Sequence, residues 1–209
     1  MPMGQHVLLK EVAEVFTGPP APSARVRTVL REAGPIEAPL LTVGALGDRA
    51  VLPDEVKTIH ADAEAVLADY RVADGDILIA ARSTLIRCAV VPPELDGAVA
   101  SSSVLAIRCD PARLLPRMLA AYFEHHTGRT ALLGASQSTT EQLSLTVKAL
   151  KELPVPVPPI EVQHQMVGLL EAADAQRAAA EESIRIRYQT ALHLAVTSMT
   201  QDANGDGGS

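Results

Sequence analysis

The stretch KELPVPVPPIEVQHQMVGLLEAADAQ, which runs from Lys151 to Gln176, changes character near its middle. Four prolines lie between Pro154 and Pro159, and each one restricts the backbone and lacks an amide donor. After Pro159 the sequence contains no further proline and has the pattern of a long helix. The stretch therefore predicts an extended junction that joins neither a sheet nor the helix, followed by a helix that runs almost to the last residue.

The residues before this junction have the composition of a folded domain. Of the 209 residues, 47% are hydrophobic but only 2% are aromatic, so an aliphatic core is predicted. Apolar runs of strand length are interspersed with helical patterns, which indicates a mixed α/β (α+β) fold. We predict a domain over residues 1–153, a proline junction and long helix over 154–200, and a disordered tail over 201–209.

Short apolar runs bounded by Gly, Pro or Asp predict the strands. They lie at residues 25–30, 37–46, 77–81, 86–91 and 101–110, while residues 6–17 predict a short helix or a strand and turn. Asp74, Gly75 and Asp76 predict a turn before the run at 77–81.

Two segments carry helix signals. Residues 111–128 predict a helix with Pro111 in its first turn and Gly128 as its C-terminal cap, or with a start near Pro116. A capping pattern at Ser138 or Thr139, with an acidic or amide side chain three residues later, predicts a second helix start.

Charge and cysteine content exclude several classes of protein. The net charge of −7 and the pI of about 5.3 argue against a generally basic nucleic-acid coat. Cys88 and Cys109 lack the number and spacing of a disulfide framework or a metal site, so buried thiols are expected. No signal-peptide pattern and no apolar run near the roughly 18 residues of a membrane span occur, so a cytoplasmic location is expected.

The usual catalytic motifs are missing from the sequence. There is no glycine-rich phosphate loop and no nucleophile elbow. Asp54, Glu55 and Lys57 only superficially resemble a nuclease metal site, because the two acids are adjacent. His125 and His126 are expected at a solvated helix C-terminus, where the helix dipole favours imidazolium. We therefore predict no catalytic residue, no metal site and no cofactor bound by this chain.

The terminal helix carries an apolar seam with steps of mostly three and four residues. A helix over residues 159–199 would be roughly 60 Å long, more than one small domain can cover, so the seam predicts a coiled coil with a partner helix. The seam consists of Val162, Met166, Leu169, Ala173, Ala180, Ile184, Tyr188, Ala191 and Ala195.

Two motifs together resemble the specificity (S) subunit of type I restriction–modification systems. GDIL, Gly75 to Leu78, is shared with the target-recognition domains of that family, and LPVPVPPIEVQHQMV, Leu153 to Val167, is similar to its junction into a conserved spacer helix. The resemblance covers about residues 65–199. The sequence departs from the family after GDIL, where ARSTLIRCA replaces the usual Gly and Lys.

This resemblance implies a function and a set of partners. It implies a non-catalytic subunit that reads DNA for a separate methyltransferase (M) subunit, which would bind S-adenosylmethionine, usually with a restriction–translocase (R) subunit. A complete S subunit has two recognition domains and two spacer helices, so this chain resembles one half. The resemblance further implies an antiparallel homodimer through the terminal helix, whose two identical heads would recognise an inverted repeat with an unread gap.

The charge distribution is compatible with DNA binding in the second part of the domain. Residues 77–151 hold eight Arg and Lys against five Asp and Glu, a net charge of +3, whereas residues 48–76 have a net charge of −5. Segments 81–87 and 128–139 are the predicted reading loops. The predicted DNA-contacting residues are Arg82, Ser83, Thr84, Arg87, Arg129, Gln137 and Ser138. The alternative, favoured by the acidic net charge, is a scaffold that tethers a methyltransferase or defence complex without reading DNA.

Overall fold

A computed structural model of the chain describes residues 5–19, 36–47, 49–61, 63–83, 86–138 and 143–204. Its contacts divide the chain into two compact units, one ending at His164 and one beginning at Gln165. The first unit is called the head below. The strand predicted at residues 25–30 lies outside the described residues.

The described elements confirm a mixed α/β fold with a long C-terminal helix. The strands are β1 (Gln5–Leu8), β2 (Ala13–Thr17), β3 (Ile36–Leu41), β4 (Arg49–Ala50), β5 (Lys57–Ala61), β6 (Ile77–Ala80), β7 (Arg82–Ser83), β8 (Cys88–Val90), β9 (Val99–Ala100), β10 (Val104–Cys109), β11 (Gln137–Ser138), β12 (Leu143–Ser144) and β13 (Pro154–Val157). The helices are α1 (Pro116–Glu124), α2 (His126–Ala135), α3 (Val147–Lys151) and α4 (Ile160–Asn204).

The central sheet has the order β2-β10-β6-β8-β4, and its inner strands β10 and β6 are buried on both faces. Ile77 and Ile79 of β6 lie in a core cluster with Phe123 of α1, whereas Leu78 packs into a second cluster with Ala106 of β10. Successive strand residues point to opposite faces, so a strand covered on both sides needs a continuous apolar run. This explains why residues 77–81 and the second half of 101–110 are predicted correctly as strands.

The helical region differs from the first of the two predicted arrangements. Pro116 occupies the first helical turn of α1, as the alternative prediction had it, and Pro111 precedes the helix. The helix ends at Glu124, and His125 turns the chain into α2, where its Nδ1 accepts a hydrogen bond from the Thr127 amide at 3.4 Å. His125 therefore caps the C-terminus of α1, as predicted, and His126 begins α2, so the exposed histidine pair lies at the boundary between two helices.

Gly128 does not cap a helix, contrary to the prediction, but lies inside α2 at a close backbone approach. A Cβ atom at this position would overlap the carbonyl oxygen of Tyr122 in α1. The glycine therefore allows α1 and α2 to pack with their backbones in contact, which residue-by-residue propensity does not reveal.

Gly128→Ala should destabilise the head by about 1–3 kcal/mol, because the two helices must move apart. Gly134→Ala is the matched control in the same helix, since nothing lies within 4 Å of its added methyl group. That control should stabilise the helix by about 0.5–1 kcal/mol through backbone entropy. Urea unfolding of both variants measures the difference, and equal effects of the two substitutions would contradict the close approach.

The proline junction forms part of a sheet, which overturns the prediction that it joins none. β13 pairs antiparallel with β1, with Val155 opposite Val7 and Val157 opposite Gln5. Pro154 and Pro156 alternate with these valines, and alternate residues direct their backbone amides to opposite edges of a strand. The backbone amides of the valines therefore point to one edge of β13, and the other edge, where the prolines lie, lacks amide donors.

Most of the capping pattern predicted at Ser138 or Thr139 lies outside the described residues. Gln137 and Ser138 form β11, and residues 139–142 lie outside the described part. The next helix, α3, begins at Val147 and is capped by Thr146, whose hydroxyl accepts from the Ala149 amide at 3.1 Å.

The long helix α4 runs from Ile160 to Asn204 and includes the first four residues of the predicted tail, 201–204. Within its seam Val162 is half-buried, whereas the eight residues from Met166 to Ala195 are exposed in this single chain. Among the described residues, no helix combines the length and apolarity needed to cross a membrane.

Of the two cysteines, Cys109 is buried, and burial raises the pKa of its thiol to about 12, while Cys88 is half-buried.

Candidate nucleic-acid interface

A small three-stranded sheet brings the two predicted reading segments together. Its order is β11-β12-β7, so β12 lies between a strand from segment 81–87 and a strand from segment 128–139. Arg82 and Gln137 both pair with Ser144 of β12, one from each side. Ser83 and Ser138 both pair with Leu143 in the same way.

The register assigns the paired residues to two faces of this sheet. Leu145 follows β12 and is buried in the main core, so Leu143 shares the core-facing side and Ser144 points away from it. Directly opposed residues on antiparallel strands lie on the same face. Arg82, Ser144 and Gln137 therefore form one row on the outward face, which we call the outer row.

The outer row is accessible and polar. The side chains of Arg82 and Gln137 are exposed, and that of Ser144 is half-buried. Within the described part of the chain, the structure shows no hydrogen bond or ion pair to the Arg82 guanidinium or the Gln137 amide. Both groups therefore retain donors, and the Gln137 amide also an acceptor, for an external molecule.

The rest of the head holds this small sheet in place. The Leu145 amide donates to the Ala81 carbonyl at 2.8 Å, and the Ala81 amide donates to the Ser103 carbonyl at 2.9 Å. On the other side, Ser136 ends α2, and its amide and hydroxyl both donate to the Leu133 carbonyl. The outer row is thus connected to the central sheet through β7 and to the helices through β11.

The other predicted contact residues lie apart from the outer row. The guanidinium of Arg87 donates to the Leu46 carbonyl at 3.3 Å, which ties it to the region before β4. Arg129 is exposed on α2 and makes a contact of its own. Thr84 lies outside the described residues. The structure brings Arg82, Ser83, Gln137 and Ser138 together, and Ser144 is the member of this group that the sequence analysis missed.

Several cations of region 77–151 serve the fold. Arg117 lies 3.6 Å from Glu124, and Arg113 donates to the Glu11 carbonyl. Arg108 pairs with Asp76, and hydrogen bonding to that carboxylate raises the pKa of the guanidinium. The net charge of +3 in this region therefore overstates the number of cationic side chains that are available to contact a nucleic acid. Within the outer row, the cationic side chain is that of Arg82.

The GDIL motif has a structural basis in this ion pair. Gly75 adopts a φ of +80° in the turn before β6, a conformation that favours glycine. Asp76 is buried, and both its oxygens accept from Arg108, at 3.1 Å from Nε and 2.7 Å from Nη2. The Ala73 amide also donates to Asp76 at 2.8 Å, so the carboxylate closes the turn and joins it to β10.

The glutamine of the proline-junction motif is also buried and fully bonded. Gln163 lies in the first turn of α4, within the head, and is 0% exposed. Its amide nitrogen donates to the carbonyls of Arg113 and Pro158 at 2.9 and 2.8 Å, and its oxygen accepts from the Leu115 amide at 2.9 Å. One side chain therefore joins the junction to the segment that precedes α1.

Among the described residues, the His, Cys, Asp and Glu side chains form no group of three that could hold a metal ion. His125 and His126 have ring centroids 4.1 Å apart, and the Nδ1 atom of His125 lies 3.1 Å from the Thr127 hydroxyl.

Comparisons with known proteins relate this chain to a family. The family model described as the type I restriction modification DNA specificity domain matches residues 5–187. The fold is similar to a crystal structure of the HsdS subunit from Thermoanaerobacter tengcongensis, with a TM-score of 0.63 and 20% identity over 100% of this chain and 51% of that one.

A second similar chain comes from a structure that addresses complex assembly and conformational transition of the type I R-M system. Its TM-score is 0.65 and its identity 20%, again over 100% of this chain and 51% of the other. This chain therefore spans about half the length of the solved chains that it matches. None of the curated proteins matches it in sequence. Because the family model covers most of its length, this chain belongs to the family of type I restriction–modification DNA specificity domains.

Proposed function

We propose that this chain is the DNA sequence-specificity subunit of a type I restriction–modification methyltransferase complex and that its head reads one half-site. The observation that carries the proposal is the outer row, in which two segments more than fifty residues apart present polar side chains on one accessible face, with no hydrogen bond to another described residue from Arg82 or Gln137. Arg and Gln are side chains that make bidentate contacts to base edges. Membership in the DNA specificity domain family supports this reading.

In this proposal the chemistry belongs to the partner subunits. A methyltransferase (M) subunit would bind S-adenosylmethionine and transfer the methyl group, and a restriction–translocase (R) subunit would join in systems that cleave. The chain itself would bind double-stranded DNA and fix the position of the M subunit. Its role would be recognition without a catalytic residue or a cofactor of its own.

We further propose that a second copy of the chain covers the exposed side of α4. Tyr188 is 66% exposed and Met199 is 74% exposed, and both lie on the face that includes Leu192 and Ala195. Exposed apolar side chains at steps of three and four residues are typical of a helix that packs on another helix. The matched HsdS chain is about twice as long as this chain, and a second copy in an antiparallel homodimer would supply a second head and a second long helix.

Methylome sequencing tests this function directly. Cells that carry the neighbouring methyltransferase should methylate a specific motif only when this chain is also present, and two identical heads should give an inverted repeat with a gap. Light scattering should show two copies of the chain in the assembled complex. Binding of the complex to its motif should weaken steeply with salt, because phosphate contacts release counterions.

Two results would contradict the proposal. A methylation pattern that does not depend on the chain would exclude a specificity role and favour a scaffold that reads no DNA. A single copy of the chain per complex, together with an asymmetric motif without a gap, would exclude the homodimer while leaving recognition intact.

A further inference from the structure

We propose that the outer row reads bases as a unit, with Ser144 as its central residue, and that its three strands lie across the major groove of duplex DNA. The inference rests on the proposed function and adds the residue order, a spacing and the bases contacted. Arg82 would contact a guanine, Gln137 an adenine, and Ser144 a base between them.

The strand geometry sets the span of this row. Neighbouring strands in a sheet lie about 4.8 Å apart, so Arg82 and Gln137, on either side of Ser144, are separated by about 10 Å at the backbone. Successive base pairs are about 3.4 Å apart along the DNA axis. The two outer side chains therefore match bases about three steps apart, with room for Ser144 to reach the intervening positions.

The chemistry of the row favours base edges over phosphates. A surface that follows the phosphate backbone needs several Arg or Lys side chains, whereas this row has one cation and two neutral polar groups. Arg offers two parallel donors that match guanine O6 and N7, and the Gln amide offers a donor and an acceptor that match adenine N7 and N6. A serine hydroxyl can donate or accept, so Ser144 can contact either kind of base edge.

The profile of the row also fits a groove. The central side chain, Ser144, is short and half-buried, whereas the flanking side chains are long and exposed. Strands and β-ribbons are known to enter the major groove, which is about 12 Å wide. Each of the three strands is two residues long, or roughly 7 Å, so strands that lie across the groove fit its width while the outer row runs along it. The opposite face of β12 leads to Leu145, which is buried, so the outer face is the one that can meet DNA.

Three single variants test the inference in the assembled methyltransferase complex: Arg82→Ala, Ser144→Ala and Gln137→Ala. Each should be measured by methylome sequencing and by competition binding to a duplex library randomised over the wild-type motif. We expect Arg82→Ala to lose discrimination at a guanine and Gln137→Ala at an adenine about three steps away, each by about 5- to 150-fold. Ser144→Ala should relax a position between these two.

Gln165→Ala provides a matched control, because Gln165 is exposed on α4, outside the head. It should leave the motif unchanged. Thermal unfolding should be the same for the four variants and the wild type, since the substituted side chains are not part of the buried core.

The outcomes separate this inference from the function on which it rests. A wild-type complex without any preferred motif would overturn the proposed function and the inference with it. A specific wild-type motif that all three variants retain, or weaken equally for every sequence, would overturn the inference alone, because the row would then touch phosphates or nothing. Loss of base discrimination at three different positions of the motif, one for each variant, would support both the proposed function and the inference.

Discussion

Asp76→Ala is expected to destabilise the head by about 3 kcal/mol. Asp76 is 3% exposed, and removing it leaves the Arg108 guanidinium and the Ala73 amide without their partner. Breaking a buried ion pair from one side costs roughly 3–5 kcal/mol, and the low end applies because the Arg108 side chain is 41% exposed. Arg108 lies in β10 of the central sheet and also donates to the Arg71 carbonyl at 3.0 Å. A guanidinium displaced by the loss of Asp76 would therefore weaken the connection between the turn and the central sheet.

Asp74→Ala is the matched control for this prediction. Asp74 precedes Gly75 in the same turn, but its side chain is exposed. Surface substitutions of this kind usually change stability by no more than about 0.5 kcal/mol. Urea unfolding of both variants gives the comparison, and similar midpoints would show that the ion pair between Asp76 and Arg108 is not what stabilises the turn.

Gln163→Leu is expected to destabilise the head by about 3 kcal/mol as well. Leucine has a similar volume but cannot bond to the Leu115 amide or to the carbonyls of Arg113 and Pro158. Each buried backbone group left without a partner costs about 1–3 kcal/mol, so three such groups at the low end of this range give the expected loss. The side chain is fully buried, so water cannot replace it without a local opening.

Hydrogen exchange at one amide makes this prediction specific. The Leu115 amide donates to the Gln163 oxygen, so its exchange should accelerate in the variant by a factor of about ten or more. Gln165→Ala, two positions later on the exposed surface of α4, should change neither stability nor this exchange rate. Unchanged protection of the Leu115 amide in Gln163→Leu would disprove the proposed link between the junction and α1.

Loss of these two groups has different consequences for recognition. Asp76 stabilises the turn that leads through β6 to Arg82, so its loss is expected to loosen the sheet beneath the outer row. Gln163 lies in the first turn of α4 and does not contact the outer row. A destabilised Gln163→Leu complex that still methylates should therefore keep the letters of its half-site.

The sequence by itself determined the features that depend on neighbouring residues. The apolar runs of β6 and β10 are continuous because both faces are covered, and a strand of this kind is recognisable from its own residues. Gly75 marked a tight turn, and the absence of proline after Pro159 marked the long helix. The GDIL and junction motifs identified the family, which the comparison confirmed.

Only the tertiary structure decided the features that depend on distant partners. The proline segment became a strand because β1, about 150 residues earlier, offers its backbone groups to Val155 and Val157. Gly128 faces a carbonyl of another helix, and a local pattern cannot show such an approach. The outer row combines residues from three separate segments, and only strand pairing places Ser144 between Arg82 and Gln137. Local propensity is set by adjacent residues, whereas pairing and burial are set by the segments that fold against them.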